Sequence, residues 1–250
     1  MFPGDGKILR FRLWGQFAHF NQTISNRIKN TYSIIPRTHL LGIIGAVLGY
    51  SGYINNSNEP EYYRMLKDLK VGISLRYGIA KRFLVEYNSL ASYFNNRKDG
   101  DCNTIIHEQV IMNPDYEIAV AIDEENHDHK KLLEYVKNRQ SVFHLYLGKN
   151  EFFASIEFTA LEQYHINTKN IICTDYIFPF EELDEEPQVE HSLKVEILPV
   201  DFNEHFKYIS KLMLIPECEK HKSKLKKYKI KNPNNFITAG DKEPKEYYLF

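Results

Sequence analysis

Between Tyr32 and Gly52 the chain reads YSIIPRTHLLGIIGAVLGYSG, and this stretch restricts the fold more than any other. Pro36 has a fixed φ and no N–H, so it suits the start of a helix and not its interior. Thr38 brings a hydroxyl able to accept from the unpaired amides of a first turn. Leu40, Leu41, Ile44, Val47 and Leu48 then form an apolar stripe, while Gly42, Gly45 and Gly49 recur at three- and four-residue spacing. Such a helix lets another backbone approach closely. Arg37 and His39 flank its start, where orphan amides, the helix dipole and a guanidinium together favour a phosphate. Two readings follow: a glycine-rich helix packed on a sheet, or a helix whose start faces an anion.

Residues 8–14 alternate, with Leu9, Phe11 and Leu13 on one side and Arg10, Arg12 and Trp14 on the other. The pattern predicts a strand with a basic, aromatic outer face. A polar loop leads to the helix at 37–49, and a second helix is expected over 60–69. Strands are expected over 71–77, 81–87, 103–112, 116–122 and 141–147, with a helix over 127–139. The polar run from Asn95 to Asp101 makes residues 76–112 a protruding hairpin. Set apart from that hairpin, the order is strand, helix, strand, strand, helix, strand, which is ferredoxin-like (RRM-like). Beyond Asn150, short apolar runs at 152–158, 171–178, 193–200 and 247–250 predict strand and loop. The expectation is an α+β chain: a ferredoxin-like N-terminal domain over 1–150 and a mostly β region over 151–250.

The 250 residues carry a net charge of −1, which makes no case for nucleic acid, but the distribution does. From Met1 to Tyr50 six Lys or Arg stand against one acid, Asp5. Acids gather at Glu181, Glu182, Asp184, Glu185, Glu186 and Glu190, which read as a solvated loop. Lys220, Lys222, Lys224, Lys226, Lys227, Lys229 and Lys231 read equally as a phosphate-tracking strip and as a solvated segment. Cys102, Cys173 and Cys218 lack metal or disulfide spacing, which suits a reducing cytoplasm. No apolar run approaches the roughly 20 residues of a membrane span, and the first residues lack a signal-like apolar stretch. Neither a membrane nor secretion is expected.

No Walker or dinucleotide glycine pattern is present. Gly42-Ile43-Ile44-Gly45 has the KH-type spacing, but its central residues are apolar where that loop needs exposed polar ones. His127-Asp128-His129 reads as a solvated first helical turn, and no metal or other cofactor is expected. Metal-independent RNA cleavage needs a base, an acid and a cation, types supplied by His19, His39, Tyr32 and Lys149. An RNA-binding surface uses the same types for stacking and phosphate contacts. Binding without catalysis is the simpler reading, and no residue is assigned as catalytic.

Three stretches resemble a known family, the CRISPR-associated RAMP subunit, fifth in the Cas series, that caps the 5′ handle of guide RNA in type I Cascade. LRFRLWGQFAHF from Leu9 to Phe20 is similar to the family's opening strand and turn. YSIIPRT from Tyr32 with LGIIGAVLG from Leu41 is similar to its "YPIPPRT…LGLLGAILG" signature. YLGKNEF from Tyr146 is similar to its "YLGRSEF" turn. Ile35 stands where the signature has a first proline, His39 where a small or apolar residue is common, and Lys149-Asn150 where Arg-Ser is frequent. The resemblance frames about the first 155 residues and leans toward the type I-B branch. It implies an RRM-like domain with a hairpin thumb at about 76–112 that packs on the Cascade backbone subunit and the crRNA. The body would hold the crRNA 5′ handle and touch the large subunit, in antiviral defence. The expected RNA-binding residues are Arg10, Arg12, Trp14, Arg37, Thr38, His39, Gly148, Lys149 and Asn150. One branch of the family cuts precursor crRNA, so the alternative is a metal-independent endoribonuclease resting on Tyr32 and His39.

Overall fold

The computed structural model describes residues 6–23, 28–53, 59–89, 104–184, 194–216, 227–240 and 244–250. Strand β1 (Gly6–Gly15) follows its alternation: Leu9, Phe11 and Leu13 are fully buried, while Arg10, Arg12 and Trp14 lie on the opposite face. After the short strands β2 (Phe17–Ala18) and β3 (Ile28–Lys29) come α1 (Arg37–Leu48), α2 (Glu61–Leu66) and β4 (Val71–Leu75). Strands β5 (Arg82–Ser89), β6 (Thr104–Met112) and β7 (Asp115–Ile122) precede α3 (His127–Lys137) and β8 (Ala154–Ile166). The remainder is built from β9 (Ile171–Cys173), β10 (Phe178–Pro179), β11 (Lys194–Phe202), β12 (Tyr208–Ile215), β13 (Lys227–Lys229), β14 (Phe236–Ala239) and β15 (Lys245–Tyr248). The chain is mixed α+β and dominated by strands.

Six strands form one antiparallel sheet in the order β15-β14-β8-β1-β7-β4. The apolar stripe of α1 (Leu40, Leu41, Ile44, Val47) packs with Leu132 and Val136 of α3 over the β1 face that carries Leu9, Phe11 and Leu13. On the other face Ile8, Ala119, Tyr164, Tyr176, Ile237 and Tyr247 form a second cluster. The sheet thus takes β8, β14 and β15 from beyond residue 150. β5 and β6 pair antiparallel from Arg82↔Ile111 to Ser89↔Thr104, and β2 and β3 also pair with β6. The polar run 95–101 lies outside the described residues.

Residues 141–147 do not form the expected strand; the partner on that side of β1 is β8. The amides of Val142 and Phe143 instead donate to the carbonyls of Val47 and Ala46 at 3.2 and 3.0 Å. They satisfy α1's orphan carbonyls, so the segment's donors serve a helix end and not a ladder. In the acidic run Glu181 and Asp184 are exposed, as a solvated loop would have them, but Glu182 differs. Glu182 is buried and accepts from Asn235 Nδ2 at 2.7 Å, because two amide side chains supply the donors water would have given. Glu185, Glu186 and Glu190, and Lys220, Lys222, Lys224 and Lys226 of the lysine cluster, lie outside the described residues. Lys229 pairs with Asp184 at 2.9 Å, and Lys231 Nζ donates to the Glu181 carbonyl at 3.0 Å. Among the described residues no helix is long and apolar enough to cross a membrane.

Candidate nucleic-acid interface

The basic outer face of β1 is covered by carboxylates from its neighbours. Arg10 pairs with Glu117 of β7 and Glu162 of β8, each at 3.1 Å. Arg12 makes a two-pronged pair with Asp115 at 2.9 and 2.8 Å and lies 4.3 Å over the Trp14 ring. Those hydrogen bonds raise its pKa further. Arg76 joins the same carboxylates. The sequence carries the signal, since Asp115 and Glu117 alternate in phase on β7, but the register opposite Trp14 and Arg12 emerges only in the sheet.

At the start of α1 the cap is Pro36, whose carbonyl accepts from His39 and Leu40 at 3.1 and 3.0 Å. Thr38 provides no cap: it sits inside the first turn, past the position from which a hydroxyl reaches the orphan amides, and its Oγ1 is buried without a partner. Arg37 is 5% exposed, and its guanidinium donates to the carbonyls of Val200 and Leu69, both at 3.1 Å, and of Lys67. Burial lowers its pKa, with Asp201 at 3.9 Å acting against that. His39 packs edge-on to Phe20 with ring centres 5.4 Å apart, and its Nδ1 is enclosed without a partner. Burial, reinforced by His19, lowers its pKa to about 4, so its ring is neutral at physiological pH.

Gly148 has φ +87°, and a Cβ there would meet the His19 carbonyl oxygen at 1.8 Å. Only glycine fits this turn. Beside it Lys149 donates to Glu108 and Glu151, both at 2.9 Å, with the Tyr87 ring 5.2 Å away. Burial opposes its charge, but the two carboxylates outweigh burial and raise the pKa. Asn150 is exposed at the turn. Of the residues named for cleavage chemistry, Tyr32 is buried and His19 Nδ1 lies 2.7 Å from the Gln109 carbonyl.

A cleft of about 580 Å³ draws part of this together. One wall is the α1 face of Thr38, His39, Gly42, Ile43 and Ala46; another is the segment with Phe143, His144, Tyr146 and Gly148. Tyr50 and Tyr62 also line it, and Phe202 and Tyr208, stacked at 4.9 Å, come from the β11–β12 hairpin. The cleft joins Thr38, His39 and Gly148. Arg12 and Trp14 line a separate hollow with Asp115 and Phe153, and Lys149 a third with Phe83 and Tyr87. Phe202 and Tyr208 were missed in the sequence, because no local spacing ties a hairpin in the second half to α1.

Among solved structures the chain is similar to CRISPR proteins. One, from Archaeoglobus fulgidus, shares 14% identity over 98% of both chains with a TM-score of 0.50. Another, described as a CRISPR RNA-guided surveillance complex, shares 12% identity over 84% of this chain and 90% of that one, again with a TM-score of 0.50. At such identities the likeness concerns the fold. Residues 8–218 match the profile of a family described as CRISPR-associated protein (Cas_Cas5), and the chain belongs to that family. No curated protein matches it.

Proposed function

We propose that the chain is the RNA-binding subunit of a type I Cascade complex that holds the 5′ handle of crRNA and contacts the backbone and large subunits in antiviral defence. The observation that carries this reading is the convergence of two separate family motifs, the start of α1 and the Gly148 turn, on one aromatic cleft. Supporting it, one similar structure is a CRISPR RNA-guided surveillance complex. A ferredoxin-like core belongs to the proposal, supported by the central strand order β8-β1-β7-β4 with α1 and α3 on one face. The thumb is the β5–β6 pair, and a boundary near residue 150 divides roles, since the sheet itself continues past it. Thr38, His39, Gly148 and Asn150 face the RNA in this reading, while Arg10, Arg12, Arg37 and Lys149 brace the surface around it.

Expression with its complex and sequencing of the bound RNA tests the proposal. Repeat-derived 5′ ends should copurify in a salt-sensitive manner. Absence of bound RNA sinks it, and specific cleavage of repeat RNA in EDTA by the purified protein would favour the endoribonuclease instead.

A further inference from the structure

Trp14 and Phe153 share a hollow of about 470 Å³ that the RNA reading leaves unused. It is bounded by the end of β1, by Phe17 of β2, by the β6–β7 turn at Asn113 and Pro114, and by residues 151–155 leading into β8. Gly15 lets the two chain segments meet, since a Cβ there would come within 2.6 Å of the Phe153 carbonyl oxygen. Trp14, Phe17, Phe152 and Phe153 bring four rings to this one opening, and Phe153 is 66% exposed. Open aromatic gatherings of this kind mark contact surfaces. The charges around it do not cancel. Arg12 is held by Asp115 and lies over the Trp14 ring, so among the described lining residues the cation is already paired. Lys149 stands between two carboxylates, buried Glu108 and the Glu151 side chain, which is 58% exposed and lines the hollow. One ammonium against two carboxylates leaves an excess negative charge on the exposed side. The hydrogen bond from Lys149 lowers the Glu151 pKa, which keeps that carboxylate ionised at neutral pH.

We infer that this hollow is a docking socket for an arginine side chain of a protein partner, stacked on the open aromatic faces and hydrogen-bonded to Glu151. Aromatic faces attract a cation through the ring quadrupole, and a carboxylate beside them supplies the acceptor. The planar guanidinium does both at once, which a compact ammonium does not. A phosphate entering the same hollow meets a carboxylate and a cation already engaged, so a nucleic-acid backbone is disfavoured. The socket shares no lining residue with the cleft at α1. The inference therefore stands apart from the RNA-binding reading.

Trp14 is the sole tryptophan of the chain, so its fluorescence reports on this hollow. The full chain is titrated at constant ionic strength with N-acetyl-arginine amide, with its uncharged isostere N-acetyl-citrulline amide, and with inorganic phosphate. The arginine compound should shift the Trp14 emission and saturate, while the other two leave it unchanged. Glu151→Gln and Phe153→Ala, both at exposed positions, should keep the parent's melting profile and weaken arginine binding roughly tenfold, the worth of a hydrogen bond to a charged group. A response to citrulline amide equal to that to arginine amide, a response to phosphate, or none to arginine amide overturns the socket. This arm needs neither RNA nor a complex, so failure of the RNA-binding reading leaves it decisive. In cells, p-benzoylphenylalanine at position 153 should cross-link to a protein peptide containing an arginine, and replacing that arginine by alanine should abolish the cross-link. A cross-link to RNA, or one indifferent to the arginine, overturns the assignment of the partner.

Discussion

Lys149 Nζ lies 2.9 Å from Oε1 of Glu108, a carboxylate that is 2% exposed on β6. The lysine of the glycine turn is thus a strut between that turn and the middle of the β5–β6 pair, with its charge already matched by Glu108 and Glu151. A cation held this way supports an RNA surface by shaping it.

Lys149→Met should therefore cost stability out of proportion to a surface lysine. Glu108 would remain buried with only the Tyr87 hydroxyl, 3.3 Å away, as a side-chain donor. The expected loss is about 2–3 kcal/mol, reduced from the fully buried case because Lys149 retains some solvent contact. Lys149→Met combined with Glu108→Gln should recover most of it, since no unpaired charge is left. Urea denaturation of the three variants checks this; additive losses would rule out the coupling.

Arg37 ties α1 to the turn after α2 and to β11 through the carbonyls of Lys67, Leu69 and Val200. Arg37→Met should lower stability by about 3 kcal/mol, because those carbonyls lose a charged donor in a buried site. Arg37→Lys should rescue only part, as one ammonium cannot reproduce the planar fork. RNA binding by the folded fraction should keep the parent's salt slope. A slope lower by about one unit would mean that the guanidinium contacts a phosphate after all.

Two glycines of α1 should respond in opposite senses to alanine. A Cβ at Gly45 would come within 2.5 Å of the Tyr62 Cβ, so Gly45→Ala must push α2 away, at about 1–3 kcal/mol. At Gly42 the added methyl meets the Tyr62 ring at 3.8 Å, and helix propensity dominates. Gly42→Ala should be neutral or stabilising by up to about 1 kcal/mol. Thermal melts of the pair decide it, and equal effects would contradict the packing described.

The helix at 37–48 and the strand with Leu9, Phe11 and Leu13 inward were legible because periodicity and burial are local properties. The fourth central strand was displaced, since residues 141–147 carry strand-like side chains while their amides are claimed by the end of α1. That decision depends on a tertiary neighbour and leaves no mark in the segment itself. The same limit applied to Arg37 and to Arg10 and Arg12. Sequence shows a guanidinium beside a helix start or on a strand face, but whether it meets a phosphate or a carbonyl depends on Val200 and Leu69, or on Glu117 and Asp115 across the sheet. In the cleft, Thr38, His39 and Gly148 were named, while Phe202 and Tyr208 arrive from a hairpin more than half the chain away.

His39 makes stability depend on pH between its folded and unfolded pKa values. Its folded pKa is about 4 against 6.5 in an unfolded chain, because burial disfavours the imidazolium. Between those values the unfolded state binds a proton that the folded state refuses, so stability rises with pH. The contribution is complete above pH 6.5 and is lost as pH falls toward 4. By pH 5 the loss from this residue should reach on the order of 2 kcal/mol, at 1.36 kcal/mol per pKa unit. His129, whose pKa is also lowered by burial, adds in the same direction. His39→Leu should flatten the decline between pH 7.5 and 5 by about that amount, measured by denaturant midpoints at several pH values. Parallel profiles for parent and variant would show that the imidazole gains a proton in place, and that the enclosure of its Nδ1 is incomplete.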